Sequence, residues 1–162
     1  MLLAAGCGSG SSGKGGGGGE GGAGSCTASL TPGASMSWDE NGGFQCAADV
    51  SATGLSSATL NLLNLVGSQT SGEGLAFGVT TPGTPIDGAY SCGASTTDTV
   101  TFNYQQGQTP TFASTCSITV TSSGEDGGTR ATGTFSGVFD TPSGTRTLTN
   151  GAFDAPVTIV AE

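Results

Sequence analysis

"DTVTFNY", residues 98–104, alternates apolar and polar side chains without interruption. Val100, Phe102 and Tyr104 share one face, the period of a half-buried strand. The same reading extends outward. "CSITVTS" puts Cys116, Ile118 and Val120 together, and "GTFSGVFD" does so for Phe135 and Phe139. "AFDAPVTIV" aligns Phe153, Ala155, Val157 and Ile159, and its Pro156 cannot donate to a ladder, which predicts an edge strand. Turn signals separate these runs. Asn-Gly within "DENGG" (39–43) predicts a hairpin between "SMSW" and "FQCAADV". "GEDGG" from Gly124, "TPSGTR" from Thr141 and "TNG" from Thr149 read as further turns. "SSATLNLLNLVG" is read as a strand among strands, with Leu60 and Leu62 fitting period two, while Leu63 and Val66 also fit a helix. Eight or nine strands at this spacing predict an all-β, antiparallel β-sandwich, with a closed barrel as second choice.

Composition agrees. Hydrophobic residues make up 34% and charged residues only 9% of 162, so the chain is lean in core but lacks the charge density of an acidic disordered protein. Three basic residues face twelve acidic ones, a net charge of -9. Counterion release on a phosphate backbone needs Lys and Arg, so nucleic acid is excluded as a partner, as is direct electrostatic docking on an anionic membrane. No run approaches the roughly 20 apolar residues of a spanning helix.

The N-terminal tract, "MLLAAGCGSGSSGKGGGGGEGG", contains Gly8 to Lys14, which satisfies G-x-G-x-x-G and most of a G-x4-G-K phosphate loop. Such loops need a strand before them and a helix after them. Here Gly15 stands where Ser or Thr should hold magnesium, and a run of glycines prevents a helix. A tether explains more. Ala4, Ala5 and Gly6 immediately before Cys7 resemble the lipobox of bacterial lipoproteins. That resemblance implies cleavage before Cys7 and acylation of Cys7 itself. Gly8, where an Asp would retain the protein at the inner membrane, implies the outer membrane, with the domain facing periplasm or exterior. The expected organisation is a signal-peptide remnant at 1–6, a lipidated Cys7 with a disordered Gly/Ser-rich tether over 7–25, and a β-sandwich over 26–162. A flexible tether of this length reaches about 23 Å on average and about 60 Å fully extended.

Five cysteines are present. With Cys7 set aside, Cys26, Cys46, Cys92 and Cys116 remain, an even number in a chain read as exported. Three pairings are possible. Cys26–Cys46 and Cys92–Cys116 are favoured because each closes a modest loop, stabilising by roughly 3 kcal/mol. A zinc site is disfavoured by the absence of histidine and of any C-x-x-C pair.

Catalysis finds few parts. A serine nucleophile needs a base, and there is no histidine, with the single lysine in the tail. Asp39/Glu40 and Glu125/Asp126 are adjacent pairs on predicted turns, and Asp140 and Asp154 sit at predicted strand ends, where carboxylates commonly mark turns. "DENGG" begins like a calcium loop through Asp39 and Asn41 but lacks its later ligands. Trp38, Tyr90 and Tyr104 are candidate ligand-binding aromatics for a sugar platform, weighed against a place in the core.

The order of pieces also resembles a broad set of bacterial β-rich lipoproteins of unassigned function. It shares a Trp-turn-Phe hairpin (Trp38, Phe44), a Gly-x-Tyr step (Gly88, Tyr90) and a closing "GTFSG" and "TNGAF" (133–137, 149–153). These motifs imply a fold and no activity. The expectation is a monomeric, lipid-anchored, non-catalytic envelope domain with a structural or recognition role. It needs no cofactor, and its protein or glycan partner is unspecified. The alternative is a carbohydrate- or calcium-binding module.

Overall fold

The computed structural model describes Cys26 and residues 30–57, 59–83, 86–93, 98–124 and 129–161. Ten strands form among the described residues. They are β1 (Ser35–Glu40), β2 (Gly43–Cys46), β3 (Asp49–Ser56), β4 (Asn61–Ser68), β5 (Glu73–Thr81), β6 (Gly88–Ser91), β7 (Thr99–Gln106), β8 (Thr109–Ser122), β9 (Arg130–Thr141) and β10 (Gly144–Ala161). The fold is an all-β, mainly antiparallel sandwich with one or two strands more than expected. The predicted tail, signal remnant and Cys7 lie outside the described residues, as do Glu125 and Asp126.

One sheet runs β2-β1-β10-β9-β8-β6 and the other β3-β4-β5-β7. Two long strands belong to both. Thr109–Phe112 of β8 pair with β7 before Ala113 turns to β9. Val157–Ala161 of β10 leave the first sheet to pair in parallel with Ala52–Ser56 of β3. Corners made by strands that change sheets are a known way to join two layers. Here they complete a hydrogen-bonded circuit, β10–β3–β4–β5–β7–β8–β9. The free edges left in this order are β2 and β6, each only four residues long. Short edges blunt edge-to-edge association.

Three local expectations need correction. Pro156 is not on an edge: it pairs with Arg130 of β9, where β10 changes its other neighbour from β1, last paired at Asp154, to β3, first paired at Val157. Its missing N–H falls at the corner. "TNG" is not a turn between strands but a bulge inside β10, where register slips between Leu148 and Gly151 and Asn150 takes φ 51°. A residue with positive φ suits a bulge as well as a turn. In β4 the inward set is Asn61, Leu63, Leu65 and Gly67, so Leu62 faces outward and Leu60 precedes the strand.

The core lies between the sheets and is centred on five phenylalanines. Phe77 (β5) and Phe102 (β7) are register partners, with ring centroids 5.7 Å apart. Across the layer Phe102 meets Phe135 at 5.6 Å and Phe139 at 4.9 Å, both edge-to-face, and Phe77 meets Phe153 at 5.2 Å. Edge-to-face pairs add about 0.5–1.5 kcal/mol each beyond buried area. Room for these rings comes from glycines on the neighbouring strand. Gly133 is the register partner of Phe153, and Gly151 that of Phe135. A Cβ at Gly133 would stand 2.6 Å from Phe153 Cζ, and one at Gly151 2.5 Å from Phe135 Cδ2. The two Gly-x-Phe steps of "GTFSG" and "TNGAF" are therefore one device, read antiparallel, in which each ring lies over the other strand's glycine.

Candidate functional site

Two regions of the described residues are candidates for a site. The first is one end of the core. Trp38 and Tyr104 are each 1% exposed, so neither offers a ring face to a ligand, and a sugar platform built on them is ruled out by burial. Both instead help fill the interior, Tyr104 against Phe139 at 5.8 Å. Tyr90 is half-buried against the core, its hydroxyl donating to Ile86 O at 2.5 Å.

Beyond Trp38, Glu40 on the same strand face accepts from the Trp38 indole N–H at 3.4 Å and pairs with Arg146 at 2.9 Å. Glu40 is the better buried partner, its side chain 9% exposed against 27% for Arg146. Nearby, Gln106 donates to Glu73 at 3.2 Å and accepts from Ser143 at 2.9 Å. The pairing of Glu40 with Arg146 spans 106 residues, so no local pattern announces it. Chemically this is a polar plug: an ion pair and amides closing the end of an aromatic core.

Tyr104 brings an unusual hydroxyl to this end. It is buried without a hydrogen bond of ordinary geometry, although the Glu73 carboxylate stands close enough for a looser one that also favours the protonated phenol. Burial first, and then the negative charges of Glu40 and Glu73, push its pKa well above the ordinary 10.0. A phenol with a raised folded pKa contributes stability that is fully present below its unfolded value. That stability is lost as the pH climbs past it, because the unfolded chain then releases a proton that the folded chain keeps. Urea unfolding is therefore expected to show a falling midpoint between about pH 9 and pH 11. Tyr104→Phe should flatten that slope and leave neutral-pH stability unchanged or raised by about 1 kcal/mol, since a poorly satisfied buried hydroxyl is removed. A clear loss of stability at neutral pH in this variant would mean that the hydroxyl is satisfied after all.

The second region is the outer face of the first sheet. Two shallow, adjoining troughs of about 340 and 490 Å³ share Ser117, Ser136 and Thr149, with Thr134, Thr147 and Asn150 around them. Their polar lining is hydroxyl and amide, set among apolar residues such as Val138, Leu148 and Ala152, and no aromatic ring is there to stack on apart from the inward-facing Phe135.

The turn carboxylates have structural tasks. Asp39 accepts from Asn150 at 2.8 Å, Asp140 from Thr145 at 3.0 Å, and Asp154 pairs with Arg130 at 2.7 Å. Asn41 Oδ1 accepts from the Thr147 amide at 3.0 Å. The two oxygens that gave "DENGG" its likeness to a calcium loop thus tie the β1–β2 turn to β10. Among the described residues no three Cys, Asp or Glu side chains converge to hold a metal ion.

The four body cysteines join as Cys26–Cys46 and Cys92–Cys116, the pairing favoured by loop length. Cys26–Cys46 fastens the start of the domain to β2. Cys92–Cys116 clamps the end of β6 to β8, its only ladder partner in the sheet order. Comparison with protein-family models, curated proteins and solved structures finds no match to this chain.

Proposed function

We propose that this chain is a non-catalytic domain of the bacterial cell envelope, held at the outer membrane by a lipid on Cys7, with a structural or recognition role. The observation that carries the reading is the cysteine pairing. Four of five cysteines are consumed in two bridges, and the one left over is the cysteine of "LAAGC". Disulfides persist in oxidising compartments, so two of them in so small a domain support an export route. A thiol outside both bridges, behind three small residues, is what a lipid-transfer step would use. Multiple acyl chains on it would hold the domain firmly, each buried methylene contributing about 0.8 kcal/mol. The acidic body would need such an anchor, because its own charge gives an anionic leaflet nothing to attract.

The test is expression in a bacterial host that processes lipoproteins, followed by intact-mass analysis of the membrane fraction. The expected product starts at Cys7, carries acyl groups there and shows four thiols lost as two bridges. Cys7→Ser should move the domain to the soluble fraction with its fold and both bridges unchanged. A soluble wild-type product with Met1 intact overturns the anchor.

A further inference from the structure

The chain contains two Asn-Gly steps whose asparagines share one backbone conformation, Asn41 at φ 49° and Asn150 at φ 51°. Both side chains are exposed, yet their surroundings are opposite in chemical sense. We propose that Asn41 is a site of spontaneous deamidation assisted by the fold, and that the fold protects Asn150.

The step proceeds through the backbone. The Gly42 nitrogen, giving its proton to solvent base, attacks Cγ of Asn41. The electron pair of the carbonyl moves onto Oδ1, then returns as the bond from Cγ to Nδ2 breaks, and Nδ2 takes a proton from water and leaves as ammonia. Water opens the resulting imide at either carbonyl, giving aspartate or its β-linked isomer. The sum is one water consumed and one ammonia released, with no oxidant or cofactor.

At Asn41 two features favour this path. Oδ1, where negative charge gathers, already accepts the Thr147 N–H at 3.0 Å, and a fixed donor aimed at a developing oxyanion is a strong source of acceleration. Gly42 is exposed in the two-residue turn, and a Cβ placed on it would meet nothing within 4 Å, so the imide ring has space. At Asn150 the opposite holds. Its leaving nitrogen donates to Asp39 at 2.8 Å, which fixes Nδ2 beside a carboxylate and gives no donor to Oδ1. The attacking residue, Gly151, is buried and register-paired with Phe135, whose ring and carbonyl lie 2.5 Å from where its Cβ would be. Conversion at Asn41 adds a charge to the β1–β2 turn. The β-linked product also lengthens the backbone beside the bond from Asn41 N to Thr147 O, at 2.9 Å.

The experiment incubates the full, disulfide-intact chain in mildly alkaline buffer and follows amide-to-acid conversion at each step by chymotryptic peptide mapping. The expected result is conversion at Asn41 at least about tenfold faster than at Asn150. The two rates should converge in the reduced, denatured chain. Asp39→Ala should accelerate Asn150. Equal or reversed rates in the folded chain overturn the proposal, as does a ratio that survives denaturation or an Asn150 rate unmoved by D39A.

Discussion

Reducing both disulfides is expected to lower the unfolding free energy by about 6–7 kcal/mol, enough to unfold a domain at the low end of ordinary stability and to bring a mid-range one within a few kcal/mol of unfolding. The bridges close loops with sequence separations of 20 and 24 residues, each worth about 3 kcal/mol in the chain-entropy account. They also act where the ladder is thinnest. β6 is four residues long and pairs only with β8 in the sheet order, so Cys92–Cys116 supplies much of what holds it. β2 is equally short and pairs with β1, and Cys26–Cys46 anchors its end. Urea titrations with and without reductant measure the sum. The double variants C26S/C46S and C92S/C116S should each lose about half of it. The two reports differ in kind: loss of Cys92–Cys116 should expose the β6 amides to hydrogen exchange before the rest, because that strand can detach alone. A reduced chain with an unchanged urea midpoint would show that the core suffices. It would also remove the physical reason for keeping these bridges.

Where side-chain period alone decides structure, the sequence was readable. The alternating run 98–104 lies almost wholly in β7 (Thr99–Gln106), with Phe102 and Tyr104 inward, Ile118 and Val120 point into the core from β8, and Asn41-Gly42 makes the β1–β2 turn. Period, however, fixes a face and not a partner. Nothing in the alternation of β10 marks the point after Pro156 where the strand changes sheets, because both sheets want the same parity there. Turn chemistry is likewise ambiguous between uses, which is why Asn150-Gly151 turns out to be a bulge. In β4 the apolar run fits a strand through Leu60 and Leu62 or a helix through Leu63 and Val66; it is a strand, but with Leu63 and Leu65 inward, where Gly67 continues their row to a close approach with Met36. At the candidate sites, period allows Trp38 and Tyr104 to be either core or a ligand platform, and burial decides for the core. Their surroundings include Glu40 and Arg146, residues brought together only by the pairing of β1 with β10. The disulfides were legible because loop length discriminates among few alternatives.

Gly133→Ala is expected to cost about 3 kcal/mol or more, although it adds one methyl group and alanine normally improves on glycine in a strand. The methyl would press directly on the Thr119 carbonyl oxygen of β8 and on the Phe153 ring, at 2.6 Å from Cζ and 2.8 Å from Cε1. One obstacle is a ring whose displacement disturbs its contact with Phe77, and the other is backbone of a paired strand. Neither can retreat without separating β8 from β9 or β9 from β10. Gly67→Ala is the matched control. Its methyl would also be crowded, but chiefly against the sulfur of Met36, an unbranched and adaptable though buried side chain, and less tightly against Ala47 Cβ at 3.2 Å, and so it should cost no more than about 1–2 kcal/mol. The two causes at Gly133 separate in a cycle with Phe153→Leu, which gives the ring's share of the space back. Because the carbonyl stays, G133A/F153L should recover only part of the G133A loss relative to F153L alone, a positive but incomplete coupling. Full recovery would locate the whole constraint in the ring. Near-neutral G133A would mean that β9 can move away from β8, and the reciprocal packing of Gly133 with Phe153 and Gly151 with Phe135 would then not be what sets the spacing of these strands.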